Sequence, residues 1–62
     1  MSYETTADNA LERAKQNIND AITNLQIVTN PFTEGNKNYK ETFIENVEEV
    51  LSELYKVRRK LK

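Results

Sequence analysis

The side chains of this chain that could do chemistry are hydroxyls, carboxylates and cationic groups, because the sequence contains no histidine and no cysteine. Two serines, six threonines and three tyrosines supply the hydroxyls, and no histidine base is present to activate one as a nucleophile. Carboxylates on a convex helix face have no pocket that would hold a substrate. We therefore expect a protein that is not an enzyme, with no small-molecule substrate.

The carboxylates are concentrated in one stretch of the chain. Glu41, Glu45, Glu48 and Glu49 follow one another at short intervals, so on a helix they occupy its outer side. One interpretation is a solvated face near a helix N-terminus, where the helix dipole favours negative charge. The functional alternative is a docking surface for a protein partner, formed by Glu45, Glu48 and Glu49. A di-iron site would need a Glu-x-x-His element, so we expect neither a metal nor another cofactor.

The cationic groups are concentrated at the end of the sequence, where the last seven residues hold five of the nine Lys and Arg. Such a cluster could neutralise phosphates of RNA or DNA, and Tyr55 could stack on a base beside it. The same charges also stabilise the C-terminus of a helix without any ligand. The nucleic-acid alternative rests on Tyr55, Arg58, Arg59, Lys60 and Lys62.

Two regular apolar stripes indicate the elements that carry these groups. In the first half, apolar residues recur at alternating intervals of four and three, at Ala7, Leu11, Ala14, Ile18, Ala21, Leu25 and Val28. Ile22 widens this stripe on one flank. In the second half they recur in the same way at Phe43, Val47, Val50, Leu54, Val57 and Leu61, with Ile44 and Leu51 widening the stripe. This heptad spacing predicts two helices of a bundle. A wide stripe suits a helix that contacts two neighbours, so we expect both helices to have apolar surface left after they pack against each other.

The segment between the stripes predicts a turn, because it contains the only proline, Pro31, and the only glycine, Gly35. Gly35 can take a positive φ angle without a clash. We expect Asn38 to cap the second helix with Glu41, or Asn36 to do so, and Ser2 or Thr5 to cap the first. Phe32 is expected to plug the end of the core.

The predicted fold is all-α, a single domain over residues 1–62 formed by an antiparallel hairpin of helices at about 3–29 and 37–61. A chain of this size rarely holds a stable core alone, so we expect a homodimer that forms a four-helix bundle. The expected interface residues are Leu11, Ile18, Ile22, Leu25, Phe43, Ile44, Val47, Leu51 and Leu54. Three asparagines beside the stripes, Asn17, Asn24 and Asn46, are expected to hydrogen-bond between helices.

Charge predicts the alignment of the two helices. If the turn is centred near residues 32–34, the acidic start of the first helix, Glu4, Asp8 and Glu12, falls beside the basic end of the second. Arg13 and Lys15 then fall near Glu53 and Glu49. Opposite charges side by side favour this alignment over others, although each exposed pair contributes only about 0.2 to 1 kcal/mol.

Composition limits the remaining classes of function. The absence of Cys, His and Trp excludes disulfide scaffolds, zinc fingers and haem sites. The formal net charge of -1 gives the chain as a whole no electrostatic attraction for nucleic acid or an anionic membrane. With no long apolar run we expect no membrane contact, no signal peptide and a cytoplasmic location. The expectation is a noncatalytic interaction or regulatory adaptor module that binds a protein, with RNA or DNA binding as the alternative.

Overall fold

The structure, a computed structural model, describes residues 6–62. In this range it contains two α-helices, α1 (Ala7–Thr29) and α2 (Glu41–Lys60), and a short 3₁₀ helix between them (Asn36–Asn38). No strand occurs in the described range. The two helices pack against each other, which confirms the all-α class and the helical hairpin.

The first helix begins after Thr6. The side-chain oxygen of Thr6 accepts a hydrogen bond from the backbone N–H of Asn9 at 3.2 Å, and the backbone of Thr6 is extended. This is the geometry of an N-cap, which satisfies one of the free amides of the first turn. The predicted caps Ser2 and Thr5, and the predicted start near residue 3, lie outside the described residues.

The turn begins at Asn30, whose extended backbone ends α1 immediately before Pro31. The side-chain oxygen of Asn30 accepts a hydrogen bond from the backbone N–H of Phe32 at 2.9 Å, which forms an Asx turn. Gly35 has a φ angle of 90°, as predicted for the residue that reverses the chain. A side chain there would be strained in the left-handed region.

The second helix begins at Glu41, later than predicted, because the residues expected to cap it are used elsewhere. Asn38 belongs to the 3₁₀ helix. Asn36 donates its side-chain N–H to the carbonyl of Val28 at 2.6 Å, so it satisfies a free carbonyl at the end of α1. The N-cap position of α2 is Lys40, which makes no side-chain capping hydrogen bond. The predicted capping box of Asn38 with Glu41 is therefore wrong.

The core of the hairpin is small. Ile22 on α1 and Val47 and Leu51 on α2 are the buried apolar residues of the described chain, and Ile22 is only 2% exposed. Half-buried apolar side chains surround them, namely Ile18, Ala21, Leu25, Val28, Ile44, Leu54 and Leu61. The molecule is a single layer of two helices, 46 Å long and 15 Å in its thinnest direction.

The helices are aligned differently from the charge-based prediction. Arg58 donates a hydrogen bond to the side chain of Asn19 at 3.3 Å, roughly ten residues further along α1 than predicted. The predicted pairing of Asp8 and Glu12 with the basic end is therefore wrong, and Glu4 lies outside the described residues. The cause is the late start of α2, because the turn and the 3₁₀ helix take up residues that the prediction gave to the helix.

The ion pairs of the hairpin also differ from the charge-based prediction. Lys15 pairs with Glu12 at 3.7 Å and Lys56 pairs with Glu53 at 3.5 Å. Both pairs join residues three apart on one helix, where such contacts contribute a few tenths of a kcal/mol. Lys15 and Glu53 therefore have partners within their own helices and not the cross-helix partners that the sequence predicted.

Phe32 does not plug the core. Its side chain is 94% exposed, because the Asx turn at Asn30 directs the chain outward immediately after Pro31. The prediction for Phe32 was wrong, and an aromatic side chain stands in solvent at the tip of the hairpin.

Candidate interaction surfaces

An open apolar face runs along one side of the hairpin. On α2 it consists of Phe43, Val50 and Val57, which are seven residues apart and therefore share one side of the helix. These three side chains are 39 to 49% exposed. On α1 it consists of Ala14, which is exposed, and Ala21, which is half-buried. The sequence predicted that apolar surface would remain after the two helices pack, and the exposed side chains confirm it.

Helix geometry places both strips on the same face. Ala21 precedes the core residue Ile22 by one position, and Val50 precedes the core residue Leu51 by one position. One position corresponds to a rotation of about 100°. Because the helices run antiparallel, an equal rotation in each turns both strips toward the same side of the hairpin. The result is one continuous surface with small side chains on α1 and large ones on α2.

The opposite face of the hairpin is polar and joined by hydrogen bonds. The side-chain amide of Gln26 donates to the hydroxyl of Tyr55 at 2.6 Å, and Arg58 reaches Asn19 across the same boundary. The guanidinium of Arg58 also lies 5.4 Å from the centre of the Tyr55 ring, a cation–π distance. These contacts hold the polar face closed, whereas no other element among residues 6–62 covers the apolar face.

The interhelical hydrogen bonds come from residues that the sequence analysis did not select. We predicted Asn17, Asn24 and Asn46 for this role, but all three are exposed, and the bonds are made by Asn19 and Gln26 instead. The three asparagines lie along the outer edges of the open apolar face. The heptad count could not predict this edge position, because it depends on which side of each stripe faces the other helix.

The nine predicted interface residues divide into three groups. Ile22, Val47 and Leu51 are buried within the hairpin itself. Ile18, Leu25, Ile44 and Leu54 are half-buried beside them. Leu11 and Phe43 are 42% and 46% exposed and are available to another surface. Val50 and Val57, which the prediction did not include, belong to the available group.

The two ends of the hairpin differ. Leu61 and Lys62 share a cleft with Lys15 and Ile18, so residues 7–14 of α1 extend about two turns, or roughly 12 Å, past the end of α2. We call these residues the α1 extension. The opposite end holds the turn and the start of α2, where the rings of Tyr39 and Phe43 stack with centroids 5.2 Å apart.

The predicted acidic surface is on the outside of α2. Glu45, Glu48 and Glu49 are all exposed, and Val47, between them in sequence, faces the core. Glu45 and Glu48 lie on the side directed away from the open apolar face, whereas Glu49 lies at its edge. Residue spacing fixes these directions, because each position along a helix rotates the side chain by about 100°.

The predicted basic group forms part of an open cleft of about 460 Å³. Arg58 and Arg59 contribute from the end of α2, Lys62 from the two residues that follow it, and Lys15 from α1. Lys60 and Tyr55 do not line this cleft, and the Tyr55 hydroxyl is bonded to Gln26. Lys15 was not predicted as part of this basic group, because the predicted alignment placed it beside Glu49.

Residues 6–62 contain no group of three or more carboxylate, histidine or cysteine side chains placed to hold a metal ion. Within the same residues, no helix combines the length and the apolar character needed to cross a membrane.

No protein-family model, curated protein or solved structure matches this chain.

Proposed function

We propose that the protein is a noncatalytic interaction module that works by binding another protein surface through its open apolar face. The observation that carries this proposal is the exposure of Phe43, Val50 and Val57 in one line along α2. Single exposed apolar residues are ordinary, but a continuous apolar strip marks an interaction site. The polar face on the other side of the hairpin is already closed by Gln26 and Tyr55.

The size of the core supports the same proposal. Three buried side chains, Ile22, Val47 and Leu51, are few for a chain whose every ordered residue costs about 1.5 kcal/mol of conformational entropy. The sequence contains no cysteine for a disulfide. Covering the open face with another apolar surface would stabilise the fold by about 25 cal/mol for each Å² removed from water.

In this proposal the charged outer surface of α2 makes a second contact, separate from the open apolar face, with a protein partner. Glu45 and Glu48 point away from the open apolar face and stay exposed when that face is covered. Three carboxylates within five residues suit a partner with a basic surface. Charge reversal at Glu45 and Glu48 should abolish binding to such a partner and leave the helical content unchanged; unchanged binding would contradict this role.

Two substitutions of equal exposure test the apolar face. Val50 lies on the open face and Ile27 on the opposite side of α1, and each is 49% exposed. We expect Val50→Glu to lower the thermal midpoint measured by circular dichroism and to remove its dependence on protein concentration. Ile27→Glu should leave both properties near those of the original chain, because Ile27 faces away from the proposed contact.

The proposal is wrong if the two variants behave alike. The measurement must be made at several protein concentrations, because stabilisation by association rises with concentration. A midpoint that is high and independent of concentration in the original chain would equally show that the open face needs no covering surface.

Nucleic-acid binding is a second candidate, favoured by the cleft at the end of α2. Four cationic side chains, Lys15, Arg58, Arg59 and Lys62, line this cleft. Positive groups from two elements around one concave surface can contact successive phosphates of a strand. Arg58 is also held by Asn19, so it needs little further ordering on binding.

The test is the affinity for a fluorescent single-stranded oligonucleotide, followed by anisotropy at several salt concentrations. We expect Arg59→Ala and Lys62→Ala to weaken binding and to reduce its dependence on salt. Lys37→Ala, which removes a cation from the other end of the hairpin, serves as the control. Affinity that does not respond to salt, or that falls equally in the control, would exclude this function.

A further inference from the structure

We infer that the surface covering the open apolar face is a second copy of this chain, related by a two-fold axis that places the two turns at opposite ends. This inference rests on the proposed function, because it names the partner of the same apolar face. A self-complementary surface pairs about a two-fold axis, and two layers of two helices form a four-helix bundle.

Only two such arrangements bring the open faces together. A two-fold axis parallel to the helices puts both turns at the same end and lays α2 on the partner's α1. An axis perpendicular to the helices, in the plane between the layers, puts the turns at opposite ends. In that second arrangement α2 lies antiparallel to the partner's α2.

The charges of α2 favour the second arrangement. Every acidic residue of the segment from Glu41 to Lys62 precedes every basic one, with five carboxylates up to Glu53 and five cations from Lys56 onward. Antiparallel pairing of α2 with its copy places the acidic half of each helix against the basic half of the other. At the edge of the apolar strip, Glu49 and Glu53 then lie near Lys60 of the partner subunit. Charges at these flanking positions determine the orientation of paired helices.

The unequal ends of the hairpin also fit together in this arrangement. Turns at opposite ends bring the α1 extension of one copy beside the turn and the start of α2 of the other. The extension carries exposed Leu11 and small alanines, whereas the other end carries Phe43 stacked on Tyr39. Large side chains would thus meet small ones. Turns at the same end would leave both extensions beyond the end of either α2.

One spin label distinguishes the two arrangements. Because the chain has no cysteine, the single substitution Glu34→Cys places one label at the exposed turn of each copy. Pulsed electron paramagnetic resonance then measures the distance between the two labels in the pair. Opposite-end turns predict a distance close to the 46 Å length of the hairpin. Same-end turns predict roughly 25 Å or less, because helices in a bundle lie about 8 to 10 Å apart.

Each outcome tests the orientation of the two copies, the apolar contact between them, or both. A distance near the full length supports this inference, and adding Val50→Glu to the labelled chain should abolish it. A short distance would overturn the orientation but would leave the proposed apolar contact intact. The absence of any distance between copies, with a chain that is monomeric and stably folded, would overturn both.

Discussion

At the residue scale, the turn is held by a few specific hydrogen bonds. Asn36 connects the 3₁₀ helix to the carbonyl of Val28, and Asn30 holds the amide of Phe32. Between them Gly35 takes the one positive φ angle of the described chain. These contacts fix the path of a connection that the sequence identified only through its Pro and Gly.

Replacement of Asn36 tests the role of this contact. We expect Asn36→Ala to lower the free energy of unfolding by about 1 kcal/mol, because it removes a hydrogen bond of 2.6 Å to a part-buried carbonyl. The measurement is urea unfolding followed by circular dichroism at a fixed protein concentration. Asn38→Ala is the matched control, since Asn38 is exposed two residues away; an equal loss in both variants would contradict the assignment.

The residue types in the turn predicted the conformation of Gly35 but not the contacts of Asn36 and Asn38. Gly35 was predictable, because a positive φ angle is strained for any residue with a Cβ atom. Asn36 and Asn38 were ambiguous, because an asparagine side chain can cap a following helix or bond to a preceding carbonyl. Which of these it does depends on where the chain returns after α1, and local sequence does not contain that information.

At the element scale, each helix contacts its partner with one side of its apolar stripe. The most buried residue of α1 is Ile22, which the heptad count placed at the flank of the stripe. On α2 the flanking residue Leu51 is buried, whereas Val50 and Val57 of the regular stripe are exposed. The stripe therefore predicted both helices correctly, but it did not reveal which part of its width the hairpin itself uses.

Substitution of two isoleucines on α1 tests whether only one side of the stripe is used for packing. Ile22 is 2% exposed and Ile27, five residues later, is 49% exposed. We expect Ile22→Ala to cost about 2 to 5 kcal/mol of stability, because it leaves a cavity in the small core. Ile27→Ala should change stability by no more than about 0.5 kcal/mol. Both values come from the urea midpoint under identical conditions.

The two stability losses test the packing of α1 against α2 directly. Losses of similar size for Ile22→Ala and Ile27→Ala would mean that α1 is rotated relative to the structure. The same outcome would also contradict the open apolar face, because the residues of that face were placed by their rotation about the helix axes from Ile22 and Leu51.

At the scale of the whole molecule, the hairpin is a single layer with a polar side and an apolar side. The hydrogen bonds that Gln26 donates to Tyr55 and that Arg58 donates to Asn19 close the polar side, and nothing within the described chain covers the apolar side. The sequence predicted this remaining surface from the width of the stripes. It could not predict the alignment, because the observed connection of eleven residues, 30–40, and the predicted one of seven, 30–36, leave the same heptad pattern on either side.

The central claim is that the open apolar face is covered by association, and sedimentation equilibrium tests it most directly. The original chain should be measured across low micromolar concentrations, with helicity recorded by circular dichroism on the same samples. We predict a helical particle of twice the 7.2 kDa chain mass, which dissociates on dilution with loss of helicity. A particle of single chain mass that stays helical and unfolds cooperatively at every concentration would contradict the claim.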